Sequence, residues 1–485
     1  MAEEEVGPQV GPGLGRRLAS VLLAASLLPL NSTMIAVALP DIARDVGQAT
    51  GTVTQALVAS YLVAAIVLQS PGGKLGDWLG HWRMVALGQA IIAAGAVLGF
   101  FAPVLAVLAL SRVLIAAGGA VLVPAAGALL RIELPVHRRG RAFGTFGAAM
   151  SLAAAVGPLL GGELVHVFGW PSVFLVNLPV LAVSTLLAAR ARHDAPATAS
   201  LMSDAGTRGG DRTAPGSSGP PRFDWAGSIL LAALLSAFVI GLETSGVASI
   251  ALLAACVVLV APFAWWERRT ADPVVSFALF ASVPFTAGSI LIAVQNLTMY
   301  TLLFELPQVL QRLAGAGPTA TGRLLISMMI AVVVASPIAG RLTDRFGARP
   351  VAVVGSLMTL SGLAALGATD LSAVGPVALP LSLLGAGLGL ATPAAQHAAL
   401  SAVPRHVSGT AAGMSSTMRY LGGIVGIATL GGLLDLDAGR VAILNDHRTL
   451  LAVFAGALVV GLVCAALLPT RTPSLVEDPA TQTEL

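Results

Sequence analysis

Fourteen apolar runs follow one another along the chain, separated by short polar breaks. A membrane-spanning helix needs about 20 consecutive, mostly apolar residues. Runs of that kind lie over 18–40, 52–72, 83–101, 104–130, 142–164, 170–190, 225–243, 247–266, 284–307, 319–341, 350–368, 374–402, 408–434 and 449–468. Each is long enough to satisfy its own backbone hydrogen bonds as a helix inside lipid. The run over 374–402 is long, with room for a kink at Pro380 or Pro393. The pattern predicts an all-α integral membrane protein of about fourteen spans.

The positions of the basic residues test that count. Lys and Arg accumulate in cytoplasmic loops, so a correct set of spans should sort them to one side. With the first segment placed in the cytoplasm, twenty of the 27 basic residues fall on the cytoplasmic side. Four fall outside (Arg44, Arg312, Arg440 and Arg448) and three inside spans (Arg112, Arg323 and Arg419). A wrong count would scramble this split. Both ends of the chain, 1–17 and 469–485, are therefore expected in the cytoplasm, with the protein multi-pass in the plasma membrane.

The one long polar stretch, 191–222, is rich in Gly, Ser, Thr, Pro and Arg, a flexible-linker composition on the cytoplasmic side. The chain also repeats itself. Gly73-Lys74-Leu75-Gly76-Asp77-Trp78-Leu79-Gly80-His81-Trp82-Arg83 recurs as Gly340-Arg341-Leu342-Thr343-Asp344-Arg345-Phe346-Gly347-Ala348-Arg349, and Gly140-Arg141-Ala142-Phe143-Gly144 recurs as Gly409-Thr410-Ala411-Ala412-Gly413. Two echoes at nearly one offset imply two homologous halves. The expected organisation is a six-helix half over 18–190, a linker over 191–224, two inserted helices over 225–266 and a second six-helix half over 267–468. Halves related by a pseudo-two-fold axis around a central cavity make a transporter architecture.

Composition narrows the partners. The chain is 56% hydrophobic and 11% charged. Soluble domains carry about 25% charged residues, so the solvent of this chain is the lipid bilayer. A net charge of +3 without a basic face argues against nucleic acid. The two cysteines, Cys256 and Cys464, lie in separate apolar runs as packing thiols, and the seven histidines have no metal-ligand spacing. The single lysine, Lys74, follows Gly72-Gly73 but precedes Leu75, so no phosphate-binding loop exists and ATP is not expected. Glu3, Glu4 and Glu5 are unlike a secretory signal, which leaves the first apolar run as an uncleaved helix. The sequons at Asn31 and Asn296 fall inside apolar spans. No buried reactive constellation is visible, so an enzyme is not expected, and no cofactor is called for.

Two local elements carry mechanical meaning. In the repeated loop, Gly73 and Gly80 (Gly340 and Gly347 in the echo) permit a tight turn and close helix approach. Asp77 and Asp344 can pair with arginine or cap a neighbouring helix N-terminus, and with Arg83 they make a latch that holds or releases the two halves. In span five, Pro158 removes a backbone bond, while Gly157, Gly161 and Gly162 let another helix come close, which makes a bent, tightly packed hinge.

The repeated loop resembles the signature of the Major Facilitator Superfamily. Further matches are Leu30-Asn31-Ser32-Thr33-Met34-Ile35-Ala36-Val37-Ala38-Leu39-Pro40 in span one, Tyr61-Leu62 in span two, Gly157-Pro158-Leu159-Leu160-Gly161-Gly162 in span five and Trp170-Pro171-Ser172-Val173-Phe174-Leu175-Val176-Asn177-Leu178-Pro179 at span six. With fourteen spans, the set resembles the drug:proton antiporter-2 family of multidrug exporters over residues 18–468. The resemblance implies export of drug-like compounds in exchange for protons by a monomer, and the Gly-Pro element is similar to the mark of exporters. Arg112 matches the arginine of the family's span-four motif, although Ile115 and Ala116 stand where glutamine and glycine are usual. Arg419 also fits the family pattern. Intramembrane arginines are functional hypotheses by default. Asn31, Tyr61, Arg112, Asn296, Tyr300, Gln396 and Arg419 are the expected cavity residues.

One departure bears on coupling. Asn31 stands where the family usually has an aspartate, and no acidic residue falls near a span centre. Glu305, between Phe304 and Leu306 with Pro307 next, is the first candidate to carry the proton; the alternative is a place at the outer water boundary. Glu163 is the second candidate. Three functions compete: an exporter of hydrophobic drug-like or natural-product compounds, a facilitator of another small molecule without protons, and a non-transporting receptor. Missing buried carboxylates disfavour cations, and Arg112 and Arg419 favour neutral or anionic ligands.

Overall fold

A computed structural model describes residues 12–49, 52–53, 55–193, 223–244, 246–434 and 439–470. Among them fourteen long helices follow in order. The first half holds α1 (Pro12–Asp45), α2 (Ser60–Leu79), α3 (His81–Phe100), α4 (Leu105–Glu133), α5 (Val136–Phe168) and α6 (Asn177–His193). Next come α7 (Trp225–Glu243) and α8 (Gly246–Glu267). The second half holds α9 (Val283–Ala314), α10 (Pro318–Phe346), α11 (Ala348–Gly367), α12 (Ala378–Ser401), α13 (Ser408–Leu433) and α14 (Arg440–Ala466). Thirteen are long and apolar enough to cross a membrane. The other, α13, is rich in Gly, Ser and Thr and packs between α2 and α9. The linker over 194–222, the segment 435–438 and the termini 1–11 and 471–485 lie outside the described residues.

Several helices outrun the apolar stretches that predicted them. α1, α5 and α9 have 34, 33 and 32 residues. At a rise of about 1.5 Å per residue each spans about 50 Å, against a hydrocarbon core of about 30 Å. Hydropathy marks where a helix meets lipid, whereas its hydrogen bonds continue into the polar margin. The extension matters at two places. α9 runs to Ala314 and α14 begins at Arg440, so Glu305 and His447 lie within helices, not at their ends. α12 starts after a 3₁₀ turn at Gly375–Val377 and continues through Pro380 and Pro393, as α5 does through Pro158.

The halves meet crosswise. α2 packs on α13, and its repeat equivalent α10 packs on α5, the equivalent of α13. One apolar core, including Val21, Phe143 and Phe174, lies mainly in the first half and reaches across to Ala399 and Met414; another, including Leu310, Leu384 and Phe454, lies in the second half. α7 and α8 pack on each other, and α7 leans on α2. Asp224 accepts from the Gly227 amide at 2.8 Å and from Trp266 Nε1 at 2.9 Å. It thereby caps α7 and ties the ends of this hairpin. The large exposed apolar side chains of the hairpin, Ile229 on α7 and Val247, Ile250, Val257 and Val258 on α8, suit a lipid-facing surface.

Candidate functional site: a latch, a hinge and a central polar cluster

At one end of the bundle the two echoes of the sequence meet each other. Gly73–Leu79 is the last part of α2, and only Gly80, at φ +94°, leaves the helix. That places Asp77 two residues from the helix end, facing the start of α13. Its Oδ1 accepts from the Gly409 amide at 2.7 Å, and its Oδ2 from the Thr410 amide at 2.7 Å and the Thr410 hydroxyl at 2.6 Å. The carboxylate therefore caps a helix N-terminus in the other half, where free amides and the helix dipole favour an anion. The second copy makes a related contact one turn further into its partner helix. Asp344 of α10 accepts from the Gly140 and Arg141 amides of α5 at 2.7 and 2.8 Å, and Gly347 (φ +87°) makes the matching turn. Of the two partners the sequence allowed for these aspartates, Asp77 takes the helix cap, whereas Asp344 meets the fifth and sixth residues of α5 with the charge of Arg141 in reach. Arg83 is exposed and forms no part of it.

The glycines of both echoes permit this contact. A methyl group at Gly73 would collide with the Gly409 carbonyl, and one at Gly340 with the Gly140 carbonyl. Gly413 and Gly144 sit one turn on, against Gln69 and Ser336. Hydrogen bonds continue the seam. Ser70 Oγ lies 3.1 Å from Thr417 Oγ1, and Arg131 of α4 donates to the carbonyls of Val403 and Pro404 and to the Ser408 hydroxyl. Arg131 is fully buried here; counting it as a loop charge missed the role, which no local pattern announces. Along the same contact, polar atoms of Gln69, against Gly413, and of His397, against Phe143, are buried without partners.

The predicted hinge lies within the first half. α5 packs on α1, and Gly157 and Gly161 face Thr33 and Met34 so closely that neither position has room for a side chain. Gly162 is different, with Val37 Cγ1 at 3.8 Å as its nearest neighbour.

The central candidates divide. Asn31 turns to Asn177 of α6 in a reciprocal amide pair, Nδ2 to Oδ1 at 2.6 and 3.1 Å, both residues buried. Asn296 bonds its own helix, Nδ2 to the Ile292 carbonyl at 2.8 Å. The others gather. The Arg112 guanidinium lies over the Tyr61 ring at 4.1 Å and donates to the Leu57 carbonyl at 3.3 Å, leaving Nη2 buried and unpartnered. A cation over a ring face is attracted by the ring quadrupole, which fixes this stack. Tyr61 in turn donates to the Leu28 carbonyl at 2.6 Å. From the other half, Arg419 Nη2 donates to Gln396 Oε1 at 2.8 Å and leaves Nε unpartnered. Tyr300 lies within electrostatic reach of Tyr61, Arg419 and Tyr420. These are the three tyrosines of the whole chain, and all join two arginines at the centre. Tyr420 is the member that sequence reading missed, although it adjoins Arg419.

The two acidic candidates also part. Glu163 is exposed near the far end of α5. Glu305 is fully buried, and its Oε1 lies 2.5 Å from His447 Nδ1 on α14.

Compared with known proteins, the chain matches the family model of the Major Facilitator Superfamily over residues 21–300 and 288–484. It is 30% identical over 432 residues to the tetracenomycin C resistance and export protein of Streptomyces glaucescens, covering 87% of this chain and 76% of that one. It is 29% identical over 419 residues to the multidrug resistance protein Stp of Mycobacterium tuberculosis, covering 85% and 74%. In fold it is similar to the human organic anion transporter MFSD10, with a TM-score of 0.66 at 15% identity, covering 94% and 99%. It is likewise similar to the proton:xylose symporter XylE, with a TM-score of 0.62 at 13% identity, covering 91% and 94%.

Proposed function

Because the chain belongs to the Major Facilitator Superfamily, we propose that it is a secondary exporter of hydrophobic drug-like or natural-product molecules, working by alternating access in exchange for protons. The observation that carries this is the crosswise latch. Two symmetry-related carboxylates each accept backbone amide hydrogen bonds near the start of a helix in the opposite half. The seam they close holds buried polar atoms of Gln69, against Gly413, and of His397, against Phe143, that lack partners. Such atoms cost about 1–3 kcal/mol each when dry, and water would satisfy them if the seam parted. The seam thus suits a surface that is sealed in one state and wet in another. The latch end is the cytoplasmic end in this reading, with both termini on that side of the plasma membrane.

The central cluster indicates the substrate class. Arg112 and Arg419 offer guanidinium hydrogens without acceptors, and Tyr61, Tyr300 and Tyr420 offer rings and hydroxyls. That set suits neutral or anionic aromatic compounds and repels cations. Relatives named for multidrug resistance and for export support the direction of transport. The alternatives, a facilitator without protons or a receptor, differ in one measurement. Everted vesicles containing the protein should accumulate anionic sulforhodamine B, and neutral Nile red, above empty controls, more so with an acid interior, and should accumulate cationic ethidium least. Accumulation of none of them refutes export; accumulation indifferent to the pH gradient leaves a facilitator.

A further inference from the structure

Away from the latch, Glu305 and His447 are the one carboxylate–imidazole pair buried deep in a half of this bundle among the described residues, and the mechanism above does not otherwise use them. Glu305 lies nine residues before the end of α9 and His447 seven after the start of α14. At about 1.5 Å per residue this puts them about 10–14 Å inside the outer ends. Both are essentially without solvent exposure, at 0% and 2%. Beside them on α9 and α14 stand Leu302, Leu306, Leu450 and Leu451 of an apolar cluster that α11 joins through Leu363 and Leu366. The two are joined at 2.5 Å between Oε1 and Nδ1, while Glu305 Oε2 and His447 Nε2 have no partner. A structural ion pair would normally have its remaining polar atoms satisfied, because orphaned atoms weaken it. This one presents a bare imidazole nitrogen and a bare carboxyl oxygen.

We infer that the Glu305–His447 pair is the proton-carrying site of this transporter, holding one proton permanently in the shared bond and exchanging a second. With two protons the pair is electrically neutral, as carboxylate with imidazolium or as carboxylic acid with imidazole. With one proton, on Nδ1 and shared with Glu305, the pair carries a net charge of −1. The proton that leaves goes to water at the outer or inner mouth, and no bond other than N–H or O–H is made or broken. Imidazole suits the task because it is the side chain whose ordinary titration lies between pH 5 and 8.

Coupling follows from burial. A net charge sealed between α9, α11 and α14 is strongly disfavoured in a low-dielectric surrounding, whereas a neutral pair is tolerated. The half can therefore close around the pair only when the second proton is bound, so each closure that returns the cavity inward carries a proton with it. Of the other titratable groups on the helices packed against the pair, Asp446 and Arg448 flank His447 on α14, half-buried and exposed. Arg312, Arg323, Asp370 and Arg440 stand toward the outer ends, and Arg341, Asp344, Arg345, Arg349 and His397 toward the latch. Tyr300, Arg419 and Tyr420 belong to the central cluster, Tyr300 turning to Gly423 of α13. Arg440 Nη1 donates to the Leu313 carbonyl at 2.9 Å and closes the outer ends of α9 and α14 over the pair. Asn31 is accounted for as well, since the first half then needs no titratable group.

This assignment rests on the antiport reading, and the test separates the two. Full-length protein with ¹⁵N-labelled histidine, in lipid nanodiscs, is titrated from pH 5.5 to 8; His447 is identified by the signal missing in His447→Asn. Its ring resonances should titrate, and Glu305→Gln should shift that transition by one pH unit or more. In proteoliposomes, Glu305→Gln and His447→Asn should each lose at least tenfold of the gradient-driven accumulation of sulforhodamine B. Exchange of the dye across the membrane without a gradient should stay within twofold, a split that mere misfolding does not produce. His447 resonances that are flat with pH, or variants that accumulate dye under a gradient as the unaltered protein does, overturn the assignment. If the unaltered protein moves no dye, the export reading fails, and the resonance titration still decides the proton site.

Discussion

Removing the charge of Asp77 while keeping its shape isolates what the latch contributes. In Asp77→Asn one carboxylate oxygen becomes an amide nitrogen, which faces donors it cannot accept from. Three hydrogen bonds are at stake: the Gly409 amide, the Thr410 amide and the Thr410 hydroxyl. At least one is lost outright, and those remaining lose their charge assistance. Hydrogen bonds to charged groups contribute about 1.5–3 kcal/mol each, and an anion at a helix N-terminus contributes about 0.3–2 kcal/mol. The surviving acceptor offsets part of this, so the closed latch should weaken by about 2–3 kcal/mol, an equilibrium shift of about 30- to 150-fold. Asp344 makes only the two amide bonds and no hydroxyl bond, so Asp344→Asn should shift the same equilibrium less. Spin labels at Leu79, at the end of α2, and Arg405, before α13, report the gap. Paired-label distances in nanodiscs should show a longer population that grows strongly in Asp77→Asn and more weakly in Asp344→Asn, with slowed dye export in both. Distance distributions identical to the unaltered protein in both variants would refute the capping argument.

Three further outcomes are expected. Gly157→Val should abolish transport and lower thermal stability, because the new side chain meets Thr33, whereas Gly162→Val should be tolerated; equal effects in a melting assay would remove the helix-approach explanation. Arg112→Lys should weaken binding of sulforhodamine B by tenfold or more in a filter assay, since a point charge cannot stack on Tyr61 as a guanidinium does, and Nile red should be affected less. Arg131→Gln should open the latch end in the same spin-label measurement, through loss of the bonds to Val403, Pro404 and Ser408.

The spans were legible because runs of about 20 apolar residues mark the helices long enough to cross lipid. The two halves were legible because both echoes repeat at nearly one spacing. What could not be read was which echo meets which: a repeat states equivalence, not contact, and the crossing of Asp77 to Gly409 and of Asp344 to Gly140 is a property of the assembled halves. Helix ends were poorly marked for the same kind of reason. His447 sits in the polar-looking stretch Leu444-Asn445-Asp446-His447-Arg448, which hydropathy assigns to a loop, although its backbone continues α14. Asn31 was visible as a departure, but its partner Asn177 lies 146 residues away and follows no local rule. Tyr420 was passed over because one aromatic at helical spacing is ordinary core; its meaning emerges only with Tyr61 and Tyr300 beside it.

Alternating access itself is tested most directly by fastening the latch. Ser70 and Thr417 face each other across the seam with their hydroxyl oxygens 3.1 Å apart. That geometry suits a disulfide in Ser70→Cys/Thr417→Cys made with Cys256→Ser and Cys464→Ser. Sulforhodamine B movement through this protein in proteoliposomes is to be followed oxidised, and again after reduction. The latch account requires that oxidation stop transport and that reduction restore it. Dye movement at the same rate in both states would contradict it, because the two halves would then not need to part at this end.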